Sequence, residues 1–258
     1  MFKIVTLILS FVLFALPVSA AEKLVIGVTP FPHKEIALIA KDLLAKDGYT
    51  LVIKEFTDYV QPNIALANKL LFANFFQHKP YLDNMNKEKG LKLVSLGTIH
   101  IEPLGIYSKK IKKLDELKAG NVVSVPNDPT NEARALRLLE AQGLITLPQG
   151  ELVTVSDIVS NPKKLKFYEL EAAQLPRALD DVDMAVINTN FACEAGLIPS
   201  RDALAIESKD SPYANILVVR QEDQNSKEAK LLLKAFQSRE VMDFIKKELV
   251  QKGIMPAF

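Results

Sequence analysis

The sequence predicts an α/β protein that builds two sheets, and three observations carry that expectation. Strand-like and helix-like segments alternate along nearly the whole chain, the pattern of an open, mostly parallel sheet. Two stretches interrupt the alternation, an extended one over residues 101–108 broken by Pro103 and Gly105, and a polar one over residues 208–212; both read as crossovers between lobes. A fresh strand–helix series starts after the first interruption. With 258 residues, 48% hydrophobic and 24% charged, the chain holds enough material for one large or two modest domains.

Residues 1–20 stand apart. Lys3 precedes an apolar run from Ile4 to Leu16, and Pro17-Val18-Ser19-Ala20 forms a small-residue site of the kind signal peptidases cut. The run is short for a membrane-spanning helix and no stop-transfer pattern follows, so a removed secretory signal is expected. The chain has one cysteine, Cys193, so no intramolecular disulfide can form. None stands at the cleavage point, and the expectation is a soluble periplasmic protein without a lipid anchor. Once Lys3 is removed the bases equal the 31 acids, a balance that argues against nucleic acid or a membrane surface as partner. The basic runs at residues 109–113 and 163–166 read as solvated faces.

Taken in order, residues 24–29 form a buried strand, residues 30–33 a turn, and residues 34–46 a helix. Residues 50–56 alternate as a second strand, residues 57–63 form a loop, and residues 64–69 are helical. A helix over roughly 80–89 and a strand over 91–96 complete the first series. The second series has a short helix at 114–118, strands at 121–125, 165–170 and 184–187, and helices at 129–142, 172–179 and 190–195. A strand at 214–220 and helices at about 226–236 and 241–252 close the chain.

Several chemistries lack their local signals. No Gly-x-Gly occurs, hence no dinucleotide fingerprint, Walker loop or nucleophile elbow, and no cofactor is expected. His33, His78 and His100 are scattered and a single cysteine gives no zinc spacing, so no metal site is expected either.

Three segments offer binding chemistry. The stretch Asn74-Phe75-Phe76-Gln77-His78-Lys79-Pro80-Tyr81-Leu82 places aromatic rings beside amides and a helix-starting proline, so it reads as a strand end and loop forming one wall of a small-molecule pocket. Taken alone, it fits core packing better. In Val125-Pro126-Asn127-Asp128-Pro129-Thr130-Asn131, Asp128 is an N-cap and Pro129 a first helical residue, so Arg134 can lean back toward the free N–H groups and help form a carboxylate site. A surface arginine pairing with Glu132 or another acid fits equally, and Arg137 lies on a similar face. The third segment ends a strand in Asn188-Thr189-Asn190, a ligand-facing or simply helix-capping arrangement, while Asn215 opens the late strand.

Together these motifs, with Asp58-Tyr59-Val60, Pro62-Asn63, Tyr107-Ser108-Lys109-Lys110, Gln174-Leu175-Pro176-Arg177 and Ser211-Pro212-Tyr213, occur in an order that resembles the methionine-binding protein family of bacterial ABC importers, the NlpA-type lipoproteins. The resemblance implies a type II periplasmic-binding-protein fold, two α/β lobes joined by two crossover strands around a ligand cleft. Lobe 1 would comprise residues 21–105 and 211–258, and lobe 2 residues 106–210. It further implies that Arg134 grips an amino acid's carboxylate and that Asn190 and Asn215 bond its polar end. Tyr59, Phe76, His78 and Tyr81 would line the pocket for a thioether side chain, which gains from aromatic contact. The implied function is capture of methionine by a monomeric, non-enzymatic protein and delivery to an ABC permease and its ATPase subunits. A binding protein for another small amino acid or a methionyl dipeptide, and a secreted enzyme using His78 as acid or base, are the alternatives.

Overall fold

The structure, a computed structural model, describes residues 22–208 and 212–258; the expected signal segment and residues 209–211 of the second crossover lie outside the described residues. Strand β1 (Glu22–Val28) pairs in parallel with β2 (Tyr49–Glu55) along its whole length and with β3 (Ala73–His78) on its other side. Between β1 and β2 runs α1 (Glu35–Lys46), which presses Ile36, Ala37, Ala40 and Leu44 onto the sheet, the spacing of one buried helical stripe. Helix α2 (Gln61–Ala67) leads into β3, and α3 (Lys79–Lys89) leaves it directly, ending at Gly90 in the left-handed conformation with φ 64°. Then β4 (Leu93–Ile101) carries the chain out of this sheet.

A second sheet holds β5 (Gly105–Tyr107), β6 (Val122–Pro126), β7 (Lys166–Leu170), β8 (Met184–Ile187) and β9 (Ala205–Ile206), in the order β7-β6-β8-β5-β9. Its connections are α4 (Pro129–Ala141), α5 (Leu175–Ala178), α6 (Thr189–Glu194) and α7 (Pro199–Asp202). The chain then returns to the first sheet as β10 (Ala214–Arg220), follows α8 (Lys227–Phe236) and α9 (Arg239–Phe244), and ends with β11 (Met255–Pro256). The first sheet therefore reads β11-β4-β10-β3-β1-β2 among the described residues. Each sheet has its own apolar core. Ile26, Phe75, Leu217 and Phe236 are buried in the first, and Ile106, Val125, Leu136 and Val186 in the second.

The sheets are mixed rather than mostly parallel. Returning strand β10 lies antiparallel between β3 and β4, and β5 lies antiparallel between β8 and β9. These two arise where the chain changes sheet, because a strand arriving from the other lobe enters without the helical crossover that parallel pairing requires, and the short β11 adds a further antiparallel pairing on β4. Other differences are local. The stretch 73–78 is a fully buried strand, not a strand end and loop, and α2 begins at Gln61 inside the expected loop. The expected helix over 241–252 stops at Phe244 and continues as a wide turn over Ile245–Leu249 and a tight one over Val250–Lys252. That change of pitch keeps Ile245 and Leu249 buried before Gly253, at φ 83°, ends the segment.

Candidate functional site

The first wall of the site comes from β3 and α3. His78 caps α3, its Nδ1 accepting the Tyr81 N–H at 3.2 Å, and Pro80 occupies the first turn where no donor is needed. Accepting at Nδ1 places the ring hydrogen on Nε2, which donates to Asn131 Oδ1 across the cleft at 3.2 Å. Burial, then the nearby Arg134 guanidinium, hold His78 down at about 3, so it is neutral. Tyr59 joins Phe76 and Tyr81 with ring centroids 5.9 and 6.0 Å away, and the Tyr81 hydroxyl donates to the Tyr59 carbonyl at 3.0 Å. Behind this wall lies a buried amide network. Gln77 Nε2 donates to Asn63 Oδ1 at 2.7 Å and to Asn74 Oδ1 at 2.9 Å, while Asn63 Nδ2 donates to Gln77 Oε1 at 2.8 Å, locking α2 to β3. The polar residues of the stretch thus split between support and cavity.

The opposite wall belongs to α4 and α6. Asp128 caps α4 by accepting the Asn131 N–H at 2.9 Å, and both its oxygens lie within hydrogen-bond reach of Asn131 Nδ2, which turns Asn131 Oδ1 toward His78 and Asn188. Arg134 is buried at 4% exposure. Its Nε and Nη2 grip Glu207 as a fork, its Nη2 also donates to the Glu102 carbonyl at 2.7 Å, and its guanidinium lies 4.3 Å from the Tyr213 ring centre. Glu102 follows β4 and Glu207 follows β9, where the chain leaves one sheet for the other, so one side chain ties both points to α4. The paired acid is Glu207, not Glu132, whose carboxylate accepts the Val155 N–H at 2.8 Å. Arg137 faces away, bonded to Glu140 and to the Pro148 and Gly150 carbonyls.

The floor is a titratable cluster of His33, His100 and Glu102, which the sequence scatters and the fold brings together. His33 Nδ1 meets the Thr29 hydroxyl at 2.7 Å and its Nε2 meets Asn215 Oδ1 at 3.1 Å and Glu102 Oε1 at 3.4 Å. His100 Nε2 donates to the same Glu102 oxygen at 2.7 Å. Burial holds His33 down at about 4 and His100 at about 3, so these contacts are hydrogen bonds between neutral imidazoles and a carboxyl group rather than ion pairs. Burial also pushes the Glu102 carboxyl up, partly opposed by His33 and Arg134. Among the described residues this is the one trio of His, Cys, Asp or Glu whose ligand-type atoms lie within 4.8 Å of one another, and those atoms already serve one another.

These walls border about 360 Å³ of space free of protein atoms, part of it open to solvent. Tyr59, Phe76, His78, Tyr81, Arg134, Asn190 and Asn215, all expected from the sequence, line it together with Asn131, Asn188 and Thr189 from the segments singled out there and with His33 and Glu102, which were not. Tyr59 donates to Asn190 Oδ1 at 2.6 Å and stacks near Phe191 at 5.0 Å, so the two lobes touch directly over the cavity. Asn190 Nδ2 and Asn188 Oδ1, a buried donor and a buried acceptor, have no protein partner among the described residues. Glu102 and Glu207 lacked any local mark, because both sit between strands without helical or strand periodicity.

A family model described as NlpA lipoprotein matches residues 24–258. "Outer membrane lipoprotein 3" of Mannheimia haemolytica is 49% identical over 240 residues, covering 91% of this chain and 90% of that protein. The "D-methionine-binding lipoprotein MetQ" of Escherichia coli strain K12 is 48% identical over 224 residues, covering 84% and 82%. Among solved structures, a nutrient-binding protein from Burkholderia cenocepacia bound to methionine is 48% identical with a TM-score of 0.88, over 91% of this chain and all of that one. The lipoprotein names overturn the expectation of a soluble periplasmic protein without an anchor. That expectation rested on one missing cysteine, and a missing residue is no positive evidence of how a protein is held. Matched over nearly all of its described length, the chain belongs to the NlpA lipoprotein family.

Proposed function

We propose that this chain is the solute-binding protein of an ABC importer and that the cavity between its lobes captures methionine. The observation that carries this reading is the division of the cavity into an aromatic half, Tyr59, Phe76 and Tyr81, and a polar half with an orphan donor and acceptor on Asn190 and Asn188. A polarizable thioether suits the first and a zwitterion the second. The Nε–Nη2 edge of Arg134 belongs to Glu207, so the ligand carboxylate meets the Nη1 edge, assisted by Asn190 Nδ2. Asn215, held by His33, borders the same end. Methionine binding by relatives at 48–49% identity supports the same ligand.

The lobes meet the permease after closing over the ligand, with residues 22–101 and 212–258 as one body, residues 105–206 as the other, and the crossovers as hinges. Binding without turnover is the expected behaviour, since both ring nitrogens of His78 are engaged and the ring is neutral. Ligand-stripped protein titrated calorimetrically against L- and D-methionine, other small amino acids and methionyl dipeptides tests the reading. Saturable one-to-one binding selective for methionine supports it, and preference for a dipeptide or chemical conversion of the ligand refutes it.

A further inference from the structure

The cavity holds a carboxyl group that the roles above leave unused. Glu102 opens the first crossover, is 6% exposed and lines the cavity. Its Oε1 accepts from His100 Nε2 at 2.7 Å and lies 3.4 Å from His33 Nε2, and the backbone N–H of Asn190 also bonds to its carboxylate. Among the described residues no lysine or arginine side chain forms an ion pair with it, and its two imidazole neighbours are neutral. The one strong cation nearby, Arg134, has its charge matched by Glu207. The cavity therefore presents an acid without a cationic ion-pair partner, and its lining also holds the unpartnered acceptor Asn188 Oδ1. Acceptors in the lining of a small cavity suit a group that donates several hydrogen bonds and carries positive charge.

We propose that Glu102 is the counter-ion for the ligand's α-ammonium group, positioned by His100 and His33, so that the site selects for a free amine. This deepens the methionine reading and rests on it. The groups facing Glu102 are His33 from the turn before α1, Tyr59 before α2, His100 on β4, Arg134 on α4, Asn190 with Cys193 and the more distant Glu194 on α6, and Asn215 on β10. Neutral imidazoles donate a hydrogen bond without cancelling charge, which leaves the full attraction for an incoming ammonium. In the empty cleft burial favours the protonated acid, and the ammonium favours the carboxylate. Binding then releases the Glu102 proton to solvent as the carboxylate–ammonium contact forms, with no covalent bond of the ligand changed.

The test compares methionine with 4-(methylsulfanyl)butanoate, the same skeleton without its amine, by calorimetry in buffers of different ionisation enthalpy. Wild-type protein is expected to bind the deaminated compound at least about a hundredfold more weakly. Methionine binding should release up to one proton as the pH is lowered, with affinity falling toward tenfold per pH unit. Glu102→Gln should shrink the discrimination to within about tenfold and abolish proton release, and Glu102→Asp should restore part of the discrimination. Equal binding of the two compounds by wild type, a measurement independent of any variant's folding, overturns the proposal, as does full discrimination by a folded Glu102→Gln. Failure of wild type to bind methionine at all overturns the methionine reading as well.

Discussion

Replacing Arg134 by alanine should damage fold and binding together, and the structure gives a magnitude to each. The side chain is 4% exposed and holds a fork to Glu207, a bond to the Glu102 carbonyl and a face of Tyr213. Its loss strands a Glu207 side chain that is only 15% exposed, and breaking a buried pair from one side costs about 3–5 kcal/mol. For a chain of this size each kcal/mol lowers Tm by about 2–4 °C, so a fall of roughly 6–20 °C is expected in a thermal melt. Methionine affinity should drop by about 2–5 kcal/mol, roughly thirtyfold to several thousandfold, since the ligand carboxylate loses its charged donor. Arg137→Ala removes a half-exposed pair with Glu140 and should change affinity less than twofold. Calorimetry on both variants, with circular dichroism to confirm folding, decides the matter. Folded Arg134→Ala that binds methionine like wild type, or a larger loss in Arg137→Ala, refutes the reasoning.

Tyr59→Phe deletes the hydroxyl that donates to Asn190 Oδ1 at 2.6 Å across the cleft, so methionine should dissociate about 2–13-fold faster in stopped flow, and an unchanged rate contradicts a bridging role. Gly27→Ala should destabilise by about 1–3 kcal/mol in denaturant titration, because a Cβ on β1 would approach Leu71 Cδ1 to 2.6 Å and Phe56 Cε2 to 2.9 Å; unchanged stability would show that both neighbours yield freely. Burial that holds His33 at about 4 and His78 and His100 at about 3 predicts three neutral imidazoles by NMR at pH 6. Folded values below the unfolded one of about 6.5 mean that each ring's stabilising contribution is present above pH 6.5 and is lost as the pH falls toward 4 and 3. A ring titrating near pH 6.5 in the folded protein contradicts that burial.

What could be read from the sequence was what neighbouring residues decide among themselves. Asp128-Pro129 caps α4 and Lys79-Pro80 starts α3 because caps and first turns are satisfied within three or four residues. The side chains those caps aim into the cavity, Asn131 and Tyr81, follow from the same geometry. Distant partners left no such mark. Arg134 pairs with Glu207 across 73 residues, His33 meets Asn215 across 182, and nothing near either residue announces the contact. The insertion of β10 between β3 and β4 is likewise a choice among strands of similar apolar pattern, made by packing. Gln77 shows the limit inside a legible segment, since it borders the cavity with Phe76 and His78 while its amide is taken by the Asn63 and Asn74 network. The lipid-anchor expectation failed for a different reason, having been drawn from an absence.

The proposed binding mode gives a small ligand a direct hold on the lobe arrangement. Glu102 follows β4, Glu207 follows β9, and Arg134 touches both while bordering the cavity. A zwitterion between Arg134 and Glu102 would bond directly to points where the chain changes sheet, so its binding energy would bear on the angle between the lobes.

A crystal structure with methionine, phased on the anomalous signal of sulfur, tests the central claim most directly. The ligand sulfur should lie against Tyr59, Phe76 and Tyr81, with the carboxylate toward Arg134 and Asn190 and the amine toward Glu102 and Asn188. A sulfur peak at the Glu102 end, or methionine bound anywhere outside this cavity, would contradict the account.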